Sequence, residues 1–290
     1  MVKKVLKFAI GLVAITTIGL LLTACNGNGN SQEQITVVTR EEGSGTRGAF
    51  VEIVDVTASG NDNITTEAVV APGTSVMMTN VAENPLAIGY ASTGVALGDS
   101  RVRAINVGGV APTVENMLNG TYAIQRPFII GYNTSAGLSP LAQDFVDFIF
   151  SAQGQEVVAG RGYVPFVTQG APQYVSSGLT GSIVVNGSSS VYSLMGHLRE
   201  AYISINTNVI IDIHGAGTGH GIGAVRDGLA DIAMSSRDLR ESELEFLSPL
   251  TIAIDGIAVI VHPDNEVEGL SLAQVRNIFL GEVTEWGSVR

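Results

Sequence analysis

From Ile35 almost to its end, this chain alternates apolar runs of strand length with apolar-periodic runs of helix length, and it fills the junctions with glycine, serine and threonine. That alternation predicts an α/β fold with mostly parallel sheets. A parallel neighbour needs a long crossover connection, and a helix usually supplies it. Strands are expected at Ile35–Val38, Ala87–Tyr90, Ile183–Asn186, Val209–His214, Ile232–Met234 and Ile257–Val261. The clearest helices start at Ser139-Pro140, run through Val191, Leu194, Met195, Leu198 and Tyr202, and follow Ser271 as far as Gly281. Proline suits a first helical position, serine an N-cap and glycine a stop.

One junction carries more chemistry than the others. Arg40-Glu41-Glu42-Gly43-Ser44-Gly45-Thr46-Arg47 lies between the strand-like Ile35–Val38 and the apolar positions Phe50, Ile53 and Val54. It reads as strand, glycine turn, helix start. A helix start exposes unpaired N–H groups and a partial positive charge, so it favours an anion. Gly43 and Gly45 allow close backbone approach, Ser44 and Thr46 add hydroxyls, and Arg40 and Arg47 add charge. The motif predicts a small oxyanion held mainly by hydrogen bonds.

Three more junctions share this character: Asn186–Ser190, His214–Gly221 and Ala233–Arg237. A single glycine–serine turn is more often structural than functional. Several at the carboxyl ends of strands are stronger evidence, because ligands bind along that edge of open α/β sheets. None matches the Walker pattern or the dinucleotide fingerprint.

The chain has 290 residues, a net charge of −12 and a single cysteine, Cys25. The acidic balance argues against a nucleic-acid partner, which would need clustered Lys and Arg. It does not exclude a small anion, since global charge is screened over about 10 Å while local dipoles set the site potential. Lys3, Lys4 and Lys7 precede an apolar run, Phe8–Leu22, that ends in Leu22-Thr23-Ala24-Cys25. That is the pattern of a secretory signal, and it is short for a stable membrane span. It resembles a bacterial lipoprotein signal over 1–24, with Cys25 as the lipidated first residue and 25–34 as a polar tether. The plainer reading is an ordinary secretory signal with an incidental cysteine.

Taken together, these segments resemble the phosphate-binding proteins of bacterial phosphate ABC transporters, which are type II periplasmic solute-binding proteins. The resemblance rests on Arg40–Phe50, Gly187–Met195, Gly215–Gly219, Asp231–Arg237, Asp255–Val261, Ile278–Gly281 with Trp286, Gln153–Gln155 and Gly162–Pro165. It covers nearly the whole chain after the tether. The order differs from the family's. Here the segment that the family places second comes first, and its usual beginning falls near Gly181, after a joint at Thr168–Thr180. The order reads as a circular permutation, which folds with neighbouring surface termini tolerate. The other reading is a truncated or rearranged frame that would continue beyond Arg290.

The resemblance implies a two-lobed fold with the ligand in an inter-lobe cleft. One lobe would combine 35–122 with 264–290, and the other would span 123–263. It implies a phosphate site formed by Arg40, Ser44, Gly45 and Thr46 from the first lobe and by Ser189, Ser190, Thr218 and Ser236 from the second. Ser189 would act by its hydroxyl and Ser190 by its N–H. Glu42 would orient Arg40. Arg237 would add a second charge, or else form a surface pair with Asp238 or Glu241. Ser236 stands where many family members carry an aspartate, which leaves the choice between phosphate and sulfate open.

The expected protein is a monomeric receptor on the extracytoplasmic face of the cell membrane, anchored through lipidated Cys25. It would deliver phosphate to a transporter permease, without a cofactor, a metal or catalysis. His197, His214, His220 and His262 show no metal-ligand spacing. Trp286 is expected to pack, and Glu241–Glu245 to begin a solvated helix. The alternatives are a surface phosphatase with Ser189 as nucleophile and a phosphate sensor or degenerate binding protein that does not transport.

Overall fold

Two antiparallel strands, Gln125–Asn133 and Leu247–Val261, run through the middle of the sheet in the computed structural model, which describes residues 34–289. The signal-like segment, Cys25 and the tether as far as residue 33 lie outside the described residues. The 10-stranded sheet has the main order Val209–His214, Gly181–Gly187, Ile232–Ser235, Gln125–Asn133, Leu247–Val261, Ala87–Ser92, Thr36–Arg40, Val69–Ala71. Its two ends are parallel. Thr36–Arg40 pairs with Val69–Ala71 and Ala87–Ser92, and Gly181–Gly187 pairs with Val209–His214 and Ile232–Ser235. The centre is antiparallel.

The strand Gln125–Asn133 and the first part of Leu247–Val261 were not expected from the sequence. Pro127 and Pro249 argue against central strands. Here Pro127 faces Ile254 and Pro249 faces Gly131 within the antiparallel ladder, which also carries a register shift between Thr251 and Ala253.

The apolar side chains gather into two large clusters. One surrounds Phe50, Tyr90, Phe279 and Trp286. Phe50 stacks on Tyr90 at 4.1 Å between centroids, and Phe279 meets Phe50 edge-on at 4.7 Å. The other surrounds Phe128, Phe145, Phe148, Met195 and Tyr202. The Gln125–Asn133 strand gives Phe128 and Ile130 to the second cluster, while along Leu247–Val261 the residues Ile257–Val261 pack in the first and Ile252 and Ala253 in the second. Packing therefore changes sides along the Leu247–Val261 strand itself.

Local signals account for the helix boundaries. Ser139 accepts the Ala142 N–H and has Pro140 behind it, while Ser271 and Gln274 form a reciprocal capping box. Gly281, at φ 78°, ends the Leu272–Leu280 helix in the left-handed conformation. Trp286 is fully buried, and its indole N–H donates to the Leu86 carbonyl at 3.0 Å. The ends of the described chain meet, since the Ile35 N–H donates to the Thr284 carbonyl at 2.8 Å and Gln34 bridges Glu285. The irregular segment before Gly181 is tied down by one carboxylate. Asp144 accepts the hydroxyls of Tyr174 and Tyr202, both at 2.6 Å. Among the described residues, no helix is long and apolar enough to cross a membrane.

Candidate anion site

Arg40 ends the Thr36–Arg40 strand and is 2% exposed. The next residues turn through Gly43, at φ 80°, into the Gly45–Val54 helix, where the Ser44 hydroxyl accepts the Arg47 N–H. The Arg40 guanidinium is shared among three partners. Nε and Nη2 donate to the Glu41 carboxylate at 2.8 and 2.6 Å, Nη1 donates to Thr74 Oγ1 at 3.3 Å, and Nη2 reaches Ser189 Oγ at 3.0 Å.

The orienting carboxylate is Glu41 and not, as expected, Glu42. Glu41 also accepts the Gly73 N–H at 3.0 Å. Burial pushes its carboxyl up, but the Arg40 hydrogen bonds and charge, with the Gly73 N–H, outweigh burial and hold it below the ordinary glutamate range. Arg47 points away from the hydroxyls. It donates to the Arg40 carbonyl at 2.9 Å and pairs with Asp62 at 2.6 Å.

A buried set of hydroxyls faces Arg40. Thr46 Oγ1 lies 2.8 Å from Ser190 Oγ and 3.5 Å from Ser236 Oγ. Ser188 Oγ donates to Ser236 Oγ at 2.8 Å, and the Ser236 N–H donates to Thr218 Oγ1 at 3.4 Å. Gly45 reaches the same point with its backbone, so that a β-carbon there would stand 2.3 Å from Thr218 Oγ1 and 2.7 Å from Ser236 Oγ. The expected residues Arg40, Gly45, Thr46, Ser189, Ser190, Thr218 and Ser236 thus come together from distant parts of the chain, while the Ser44 hydroxyl next to them is bonded to the Arg47 N–H.

Two of the expected residues have other partners in this structure. The Ser190 N–H is bonded to its N-cap, Ser188 Oγ, at 3.2 Å, and it is the Ser190 hydroxyl that meets Thr46 and Thr74. Arg237 turns outward. Its guanidinium grips Glu243 at 2.7 and 2.8 Å and the Asp238 carbonyl at 2.7 Å, so its partners are neither the hydroxyl cluster nor the Glu241 expected for a surface pair. It lines a cavity of about 940 Å³ beside Ser44, together with Arg47, Asp62 and Glu243.

Thr74 was missed. It is 6% exposed and starts the Thr74–Ala82 helix. Its N–H donates to Ser189 Oγ at 3.3 Å, and its hydroxyl lies 3.2 Å from both Ser189 Oγ and Ser190 Oγ. The signal was present: Val69-Val70-Ala71-Pro72-Gly73-Thr74 is another strand, glycine and hydroxyl sequence leading into a helix.

Helices Gly45–Val54, Thr74–Ala82, Ser189–Ile205 and Thr218–Arg226 all begin at this cluster, and none has an acidic residue in its first turn. The helices starting at Thr74 and Thr218 have glycine N-caps and no side-chain cap. Positive dipole ends and a guanidinium facing buried hydroxyls are features that suit a small oxyanion. The Ser189 Oγ bonds the Arg40 guanidinium, the Thr74 N–H and the Thr74 hydroxyl. Among the described residues, no group of His, Cys, Asp and Glu could hold a metal ion.

A family profile described as a PBP superfamily domain matches residues 14–153 and 172–288. Phosphate-binding protein PstS 2 of Streptococcus pneumoniae is 40% identical over 293 residues, covering 98% of this chain and 99% of that protein. PstS 2 of Streptococcus agalactiae is 38% identical over 278 residues, 93% of each. A crystal structure of a phosphate-binding protein of a phosphate ABC transporter from Streptococcus pneumoniae superposes with a TM-score of 0.70 at 40% identity, covering 89% of this chain and all of that one. With this identity over nearly its whole length and a shared fold, the chain belongs to the PBP superfamily, in the family of the PstS proteins.

Proposed function

We propose that this protein is a receptor that binds inorganic phosphate outside the cytoplasm and hands it to the membrane permease of an ABC transporter. The observation that carries this reading is the convergence of helix starts, free of first-turn acids, on Arg40 and a buried set of hydroxyls. The names of the PstS relatives support the choice of phosphate among oxyanions.

In this reading Arg40, Ser44, Gly45, Thr46 and Thr74 form one jaw, and Ser188, Ser189, Ser190, Thr218 and Ser236 form the other. The jaws belong to a lobe of 35–122 plus 264–290 and a lobe of 123–263, and the anion is buried when they close. Phosphate meets hydroxyl rotors that can donate or accept, so a protonated phosphate oxygen can be satisfied without a carboxylate. The protein works as a monomer and as a binder, not an enzyme. Lipidated Cys25 and the tether hold it at the membrane. A circularly permuted chain order is part of the proposal. It is supported by the meeting of Ile35 with Thr284.

Titration calorimetry of the protein from Asn26 onward, with phosphate and with sulfate, tests the reading. Heat with phosphate at micromolar concentration is expected. No heat with phosphate would refute it, and equal affinity for sulfate would make it a general oxyanion receptor.

A further inference from the structure

The antiparallel central strands carry a buried ion pair that reaches the anion site only through one backbone carbonyl. Arg126 and Asp255 face each other in register, and they are 3% and 0% exposed. Arg126 Nη2 and Nε donate to Asp255 Oδ2 at 3.1 and 3.3 Å. The other Asp255 oxygen accepts the hydroxyls of Ser92 at 2.8 Å and Thr93 at 3.0 Å. The remaining arm, Arg126 Nη1, donates to the backbone carbonyl of Ser236 at 3.1 Å. Ser236 belongs to the hydroxyl cluster, where its own hydroxyl meets Ser188 and Thr46.

This pair is poorly explained as a stabilising device. Removing two charges from water costs several kcal/mol per ion, and apolar residues of similar volume often serve a core as well or better. The geometry offers another role. A guanidinium is a rigid fork, and here its arms fix two things at once: the carboxylate on the neighbouring strand and the carbonyl of the 235–237 turn. Asp255 in turn fixes Ser92 and Thr93, which lie at the end of the Ala87–Ser92 strand beside the first apolar cluster. Thr39 and Arg40 are linked to that strand from its other side, because the Tyr90 hydroxyl accepts the Arg40 N–H at 3.1 Å and bonds to Thr39 Oγ1 at 2.8 Å.

We infer that Arg126 is a positioning residue for the anion site. It holds the 235–237 turn through the Ser236 carbonyl and, through Asp255, sets that turn in register with the strand that supports Arg40. The affinity arm of its test rests on the phosphate reading; the backbone arm does not.

The test compares wild type, Arg126→Met and the double variant Arg126→Met with Asp255→Met. Phosphate calorimetry, thermal unfolding and amide hydrogen exchange at Ser236 and Arg237 without phosphate are measured on each. Arg126→Met leaves Asp255 buried without its cation and is expected to melt lower. The double variant removes both charges and is expected to regain most of the melting temperature. If Arg126 positions the turn, the double variant still binds phosphate at least tenfold more weakly than wild type, and its Ser236 and Arg237 amides exchange faster. A double variant with wild-type affinity and wild-type protection of these amides would overturn the inference and leave Arg126 a purely structural residue. If wild type itself gives no heat with phosphate, the functional reading fails, and the exchange measurement alone decides the positioning role.

Discussion

Gly45 approaches Thr218 so closely that a single added carbon would stand 2.3 Å from the threonine hydroxyl. The two residues are far apart in sequence, and each begins a helix. Gly45→Ala would force the Gly45–Val54 helix away from Thr218 and Ser236. Phosphate affinity is expected to fall at least about tenfold, near 1.4 kcal/mol, with a smaller change in the melting point of the unliganded protein. Calorimetry beside a thermal melt checks this, and an unchanged affinity would show that close approach of these helices is not needed.

Among the described residues, Arg40 is the only one whose cationic side chain donates to hydroxyls of the cluster, and these hydrogen bonds are charge-assisted. Arg40→Ala is expected to weaken phosphate binding by about 2–3 kcal/mol, or roughly thirtyfold or more. Arg40→Lys recovers little, because an ammonium cannot span Glu41, Thr74 and Ser189 together. The neighbouring acids separate cleanly. Glu41→Gln weakens binding and Glu42→Gln does not, and the opposite result would reverse the assignment of the orienting carboxylate.

Thr74 tests whether a residue found only in the folded structure contributes to the site. Thr74→Val keeps the shape and removes the hydroxyl that meets Arg40, Ser189 and Ser190. A loss of about 1 kcal/mol, roughly fivefold in phosphate affinity, is expected from calorimetry.

Glu41 predicts a pH dependence of stability. Its carboxyl sits below the ordinary glutamate range because Arg40 and the Gly73 N–H outweigh burial. A depressed carboxyl favours folding when ionised, so its contribution is complete above the unfolded value, about 4.3, and is lost as pH falls through the lower folded value. The melting-point difference between wild type and Glu41→Gln should therefore be constant from neutral pH to about pH 5 and shrink in more acid solution. A difference that grew on acidification would contradict the direction of the shift.

Two glycines should respond oppositely to alanine. At Gly187, φ is 146° and a β-carbon would stand 2.2 Å from the Met234 carbonyl oxygen, a backbone atom that cannot swing aside. Gly187→Ala is expected to cost about 2–3 kcal/mol of stability. Gly196 lies inside the Ser189–Ile205 helix with open space around its Cα, so Gly196→Ala is expected to add about 0.5–1 kcal/mol. Denaturant unfolding of both variants decides the matter.

What is local in this protein was legible before it folded. Ser44, Ser139, Ser271 and Gly281 sit where backbone hydrogen bonding starts or stops a helix, and each acts within a few residues. The alternation of apolar runs set the α/β class, and the glycine–hydroxyl junctions marked the ends of strands where an anion could be held. Tertiary structure decided which side chains share one space. Glu41 and Glu42 are equivalent in the sequence, yet only one faces back towards Arg40, because successive residues leaving a strand point in different directions. In the sequence Arg237 could add a second charge or form a surface pair, and folding set its guanidinium 2.7 Å from Glu243. The central strands, interrupted by Pro127 and Pro249, became strands because each could lie against the other, the longer one serving two apolar clusters at once. This last choice depends on contacts between residues more than a hundred positions apart, and no short stretch of this chain contains them.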